Sequence, residues 1–167
     1  TGVQKCALPI WCYMAGVPRA TYQPFPFQIV QGTNRLLISY PFASASRIVY
    51  MTDVGESPAD SWMGWSKGRW EGETLVVDVT ALIEDTWFDR AGNFHSDTMH
   101  VVERYTPRGP NVIQYEATID DPAVFTRPWT IRMPLYRRLE PNAQLLEFKC
   151  VPFAESLLYG HLKKPER

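Results

Sequence analysis

Thr98-Met-His-Val-Val-Glu-Arg-Tyr-Thr-Pro-Arg-Gly-Pro-Asn-Val-Ile-Gln-Tyr-Glu-Ala-Thr-Ile-Asp120 reads as two alternating runs around a turn. In the first run His100, Val102, Arg104 and Thr106 share one side, and Val101, Glu103 and Tyr105 the other. In the second, Ile113, Tyr115, Ala117 and Ile119 oppose Val112, Gln114, Glu116 and Thr118. A period of two belongs to a strand, whose successive side chains point to opposite faces. Between the runs, Pro107-Arg108-Gly109-Pro110 is built from residues that set turn geometry. One face of each strand is apolar or mixed and the other carries charge. That fits a core against solvent, or a barrel whose interior holds some of the charges.

The same grammar extends in both directions. Runs 27–31 and 35–40 flank Gly32-Thr33-Asn34, a hairpin signal, and 46–52 follows, rich in β-branched and aromatic residues. Residues 53–60 are acidic and turn-forming. Runs 62–70 and 73–80 flank Glu71-Gly72, and 127–139 and 144–151 flank Glu140-Pro141-Asn142-Ala143. In 74–80, Leu75, Val77 and Val79 face one way and Thr74, Val76, Asp78 and Thr80 the other.

About eight or nine short strands with tight connections predict an all-β fold, a single antiparallel up-and-down β-barrel. Residues 1–28 carry Pro9, Pro18, Pro24 and Pro26 and read as an extended arm rather than helix. Its Trp11, Tyr13, Met14, Tyr22, Phe25 and Phe27 predict that it packs on the body. Residues 29–151 are then the barrel. Residues 152–162 read as a short helix with Phe153, Leu157, Leu158 and Leu162 in one stripe, and Lys163 and Lys164 suit its C-terminal end. No repeat or composition shift marks a second domain in the 167 residues.

The net charge of -1 gives no global field toward nucleic acid or anionic membrane. No stretch approaches the roughly 20 apolar residues that span a bilayer. No basic and apolar signal segment opens the sequence, so a cytosolic chain and a secreted one numbered from its mature start would read alike. Six Trp, eight Tyr and eight Phe suit a barrel with a lined interior, or a compact β core. Cys6, Cys12 and Cys150 include no Cys-x-x-Cys pair, against a zinc ribbon or a dithiol redox site. A disulfide from Cys150 to Cys12 or Cys6 would stabilise by roughly 4–5 kcal/mol and favour an oxidising compartment; the alternative is three reduced thiols.

Chemistry concentrates between Asp89 and Arg104. His95 and His100 lie among Asp89, Arg90, Asp97, Glu103 and Arg104, after the tight-turn residues Ala91-Gly92-Asn93. Two imidazoles and a carboxylate could converge on a divalent metal, but His-x-Asp-x-x-His is no established signature and lacks a third firm ligand, so no metal is assigned. The cluster predicts acid–base chemistry instead. His95 or His100 would move protons, oriented by Asp89, Asp97 or Glu103, while Arg90 or Arg104 holds an anionic group. The same groups would also serve as a buried ion-pair network that pins a loop. No Gly-x-Ser-x-Gly elbow and no phosphate-binding glycine loop is present.

Residues 62–75, with Trp62, Trp65 and Trp70 interleaved with glycines, let large rings pack into a core or line a pocket. Trp65, Trp87 and Tyr40 are the candidate apolar contacts for a ligand. The Trp and Arg residues form no basic stripe, which excludes single-strand nucleic acid as a partner.

Several motifs resemble those of a large family of secreted bacterial β-rich proteins with no assigned activity. They are Cys-Tyr-Met-Ala-Gly-Val-Pro-Arg (12–19), Pro-Phe-Gln-Ile-Val-Gln (26–31), Gly-Arg-Trp-Glu-Gly-Glu-Thr-Leu-Val-Val-Asp-Val-Thr (68–80), Thr-Trp-Phe-Asp-Arg-Ala-Gly-Asn-Phe-His-Ser-Asp (86–97), His-Val-Val-Glu-Arg-Tyr (100–105) and Tyr-Glu-Ala-Thr-Ile-Asp-Asp-Pro (115–122). The resemblance covers nearly the whole chain. It implies export through a signal removed before Thr1, hence a periplasmic or secreted protein. Gly-Arg-Trp-Glu-Gly (68–72) is also similar to the element that opens lipocalin-type (calycin) barrels, although here it falls far into the chain.

The leading expectation is an exported small-molecule binder with an aromatic-lined cavity and the histidine cluster at its mouth. The first rival is a lyase, isomerase or hydrolase with His95 or His100 as general base. The second is an accessory subunit of an envelope complex, touching protein partners through 11–27 and 157–167. The sequence assigns no cofactor.

Overall fold

In a computed structural model, residues 14–89 and 91–148 are described. Eight strands form one sheet in chain order: β1 (Gln28–Gln31), β2 (Arg35–Ser39), β3 (Ser46–Tyr50), β4 (Trp65–Glu71), β5 (Thr74–Thr80), β6 (His100–Pro107), β7 (Val112–Asp120) and β8 (Trp129–Tyr136). The sheet is nearly all of the described fold, and it curls into a half-barrel. Among the described residues it runs from β1 to β8 as an open sequence of neighbours.

Each pairing is antiparallel except β3 with β4, where Val49 pairs Ser66 and Tyr50 pairs Lys67 in parallel. This departs from the expected up-and-down order. Parallel neighbours need a crossover of about a dozen residues or more, and residues 51–64 supply it. Gly68 lets β4 come close to β3, because a Cβ there would lie 2.6 Å from Val49 Cγ1 and Met51 Sδ. At the tight β4–β5 hairpin, Gly72 takes φ of 61°, which a side chain would resist.

The concave face carries the core. Leu36 and Ile38, Val49, Leu75, Val77 and Val79, Val101 and Tyr105, and Tyr115, Ala117 and Ile119 are buried along successive strands. Ile131, Met133 and Leu135 of β8 pack against them half-covered. The N-terminal arm packs against this core from residue 14 onward. Ala15, Val17 and Ala20 are buried, and the Thr21 hydroxyl lies 3.0 Å from Tyr40 Oη.

The arm is not wholly extended: Arg19–Tyr22 form a single helical turn, α1. Pro18 at its N-cap has φ of -88°, and a proline loses nothing where the first N–H has no helical partner. The expected strand at 144–151 is replaced, in its described part, by one bridge between Phe42 and Phe148. There Phe148 stacks on Phe42 at a centroid distance of 5.6 Å and packs tilted against Phe25 at 5.0 Å. The expected C-terminal helix, the arm before residue 14 and the three cysteines lie outside the described residues. Among the described residues no helix is long and apolar enough to cross a membrane.

Candidate functional site

The structure separates the two imidazoles. His95 is 2% exposed and sits among core groups, edge-on to Phe88 at 5.6 Å. Its Nδ1 lies 2.8 Å from the Ser96 carbonyl, and its Nε2 is bonded to the Thr86 hydroxyl. A carbonyl can only accept, so Nδ1 carries a proton, and in the neutral ring Nε2 accepts from Thr86. Both ring nitrogens are thereby used, and neither contacts a carboxylate. Ser96 is itself clamped, its N–H and hydroxyl donating to Asp121 at 2.7 and 2.8 Å.

His100 opens β6 on the opposite, outward face. Its Nε2 lies 3.2 Å from Asp78 Oδ1. Asp78 also receives Arg69, which bonds Glu71 at 3.0 Å, and Glu71 accepts Arg104 at 2.9 Å. This outer ladder crosses β4, β5 and β6. Hydrogen bonds from Arg104 and Arg69 hold the Glu71 carboxyl below its ordinary range, and those to Asp78 and Glu71 raise Arg69.

The remaining predicted residues divide among three places. Glu103 is buried in the core, where its Oε2 meets Arg47 Nη1 at 2.7 Å. Tyr115 and Tyr105 donate to Glu103 Oε1 at 2.7 and 3.1 Å, and Arg47 donates to Tyr105 at 3.1 Å and weakly to Ser66 at 3.4 Å. Tyr40 closes this group through Thr21. Burial raises the hydroxyl pKa of Tyr40, Tyr105 and Tyr115. Burial opposes the charge on Arg47, but Glu103 beside it overrides that and raises its pKa. Asp89 closes its own turn, accepting from the backbone N–H of Ala91 and Asn93 and from the Asn93 side chain, which lowers its carboxyl pKa. Trp87 packs on that turn, its ring over Gly92 and its carbonyl accepting Arg19 at 3.1 Å. Arg90 lies outside the described residues.

Trp65 and Asp97 both line an open groove of about 440 Å³ on the outward face. Its floor is two cross-strand pairs, Trp65 with Thr80 and Lys67 with Asp78. The β3–β4 crossover supplies Glu56, Ser57 and Asp60 as one wall, and Asp97 supplies part of the other. Tyr50 braces the indole of Trp65 at 4.7 Å, with the Arg35 guanidinium over the Tyr50 ring at 5.6 Å. His100 stands one hydrogen bond behind Asp78.

The lining is acidic, four carboxylates to one lysine. Arg104, the expected anchor for an anion, is engaged by Glu71. Among the described residues no group of three or more His, Cys, Asp or Glu is placed to hold a metal ion.

Asp78, Lys67, Glu56 and Asp60 were not candidates from sequence. Parity puts Asp78 on the charged face of its strand, but nothing local shows that the acidic stretch 53–60 folds over it. Comparisons with protein-family models, curated proteins and solved structures return no significant match to this chain.

Proposed function

We propose that this is an exported small-molecule-binding protein whose guest is an organic cation seated on Trp65 in the outer groove. The observation that carries the reading is the groove itself: four dispersed carboxylates, one lysine and an indole around about 440 Å³. Binding sites for small molecules are concave and pair apolar contact with a few placed polar groups, at volumes of roughly 300–1,000 Å³. Here the indole covers the apolar body of the guest, and the carboxylates attract an ammonium head. The export part rests on the likeness of 68–80 and 86–97 to secreted proteins. The reading does not depend on a closed lipocalin-type barrel.

Calorimetric titration with phenethylammonium, its neutral analogue 2-phenylethanol and the anion phenylacetate tests it. The cation should bind at least about tenfold more tightly than the alcohol, and high salt should erode that preference by screening the carboxylates. Trp65→Ala should remove most of the affinity. Binding of phenylacetate as tight as that of the cation would end the reading.

A further inference from the structure

We propose that His100 is a proton-operated brake on this groove: on gaining a proton it engages Asp78 as an ion pair and lowers the groove's affinity for cations. The inference rests on the reading that cations enter the groove, and adds its regulation. Asp78 belongs to the groove floor on one side and to His100 on the other, at 3.2 Å.

The chemistry follows from the donor and acceptor types. An ionised carboxylate only accepts, so neutral His100 presents Nε2–H to Asp78 and leaves Nδ1 free of a proton. The side chain is 42% exposed, so the ring is in reach of solvent, and a proton added at Nδ1 leaves the Nε2–H bond to Asp78 in place. Imidazoles do so near neutrality, well above the range in which carboxylates titrate. The added charge then sits behind Asp78 and cancels part of the field that attracts the guest.

Several charged groups face His100. Asp78 on β5 bonds it, and Asp120 on β7 is the cross-strand partner of His100; both bear carboxylates. Arg69 on β4 bonds Asp78, Lys67 pairs across from Asp78, and Arg104 lies further along the same face of β6; these are the cations of that face. Asp97, three residues before His100, is in the groove wall. The contact with Asp78 gives the effect its direction: affinity is full when His100 is neutral and declines as it gains a proton.

The test measures phenethylammonium affinity at about pH 7.5 and about pH 5.5, a window in which this amine stays charged and the carboxylates stay ionised. Wild type should weaken roughly two- to fivefold at the lower pH, the size expected of a partly exposed ion pair. His100→Gln keeps a donor for Asp78 but cannot be protonated, and should show no such loss. His100→Lys, charged throughout, should bind at the higher pH as weakly as wild type does at the lower. Equal pH dependence in wild type and His100→Gln overturns the brake while leaving the groove reading standing. Absence of binding at both pH values removes the groove reading and the brake with it.

Discussion

Arg47 on β3 and Glu103 on β6 meet at 2.7 Å with side chains 2% and 0% exposed, so each supplies the solvation that water gives elsewhere. Breaking a buried pair from one side is costly, about 3–5 kcal/mol, because it strands the other charge. Glu103→Gln isolates that effect, since its amide oxygen still accepts from Tyr105 and Tyr115. Urea unfolding should show a loss of about 3 kcal/mol or more, and adding Arg47→Met should recover part of it by removing the stranded guanidinium. A cost below about 1 kcal/mol for Glu103→Gln would mean that water reaches Arg47.

Three of the hydroxyls around that pair, on Tyr40, Tyr105 and Tyr115, have their pKa raised by burial. Tyr22 is pushed up to about 12, chiefly by burial, with Arg19 opposing and Asp89 adding to the rise. Folding therefore holds protons that the unfolded chain releases above about pH 10. Stability is full below the unfolded pKa and falls as pH climbs past it, because the native state then binds more protons than the unfolded one. Absorbance titration should show Tyr40, Tyr105 and Tyr115 ionising only together with loss of native circular dichroism. Smooth ionisation of all eight tyrosines of the chain in a native fold would contradict this.

Strand periodicity made the sheet legible. The alternation at 100–106 and 111–120 puts Val101, Glu103, Tyr105, Tyr115, Ala117 and Ile119 on one side, and all six are buried. Arg47 was harder to read. Its strand alternates Ser46, Ile48 and Tyr50 against Arg47 and Val49, so hydrophobicity alone would turn the arginine outward. It points in because Glu103 and Tyr105, far along the chain, lie across the concavity from it. The groove was only half legible for the same reason. Trp65 and Asp97 stand out by type, but residues 53–60 read only as acidic turns. They become a wall because β3 and β4 pair in parallel and the crossover must run over the sheet. The histidine cluster shows the opposite limit. His95 and His100 are five residues apart, yet the entry into β6 turns one into the core and the other out.

Ala43 and Ser44 carry β2 into β3 with φ of 55° and 50°, a left-handed pair of the kind that hairpin turns impose and that glycine or asparagine usually fills. The turn closes through Tyr40 N–H to the Ala45 carbonyl at 2.8 Å and Ala45 N–H to the Phe42 carbonyl at 3.2 Å. Left-handed geometry costs a residue with a Cβ roughly 1–2 kcal/mol, while glycine forfeits about 0.5–1 kcal/mol through the freedom it gains when unfolded. Relief should win, so Ala43→Gly is expected to raise stability by about 0.5–1 kcal/mol. Ala43→Val should lower it by about 1 kcal/mol or more, because a β-branched side chain resists positive φ most strongly. Ser44 is the less informative position, since its hydroxyl also donates to Glu147 at 3.0 Å. Denaturant midpoints of the two Ala43 variants separate these signs, and a destabilised Ala43→Gly would show that the turn adopts ordinary negative φ in solution.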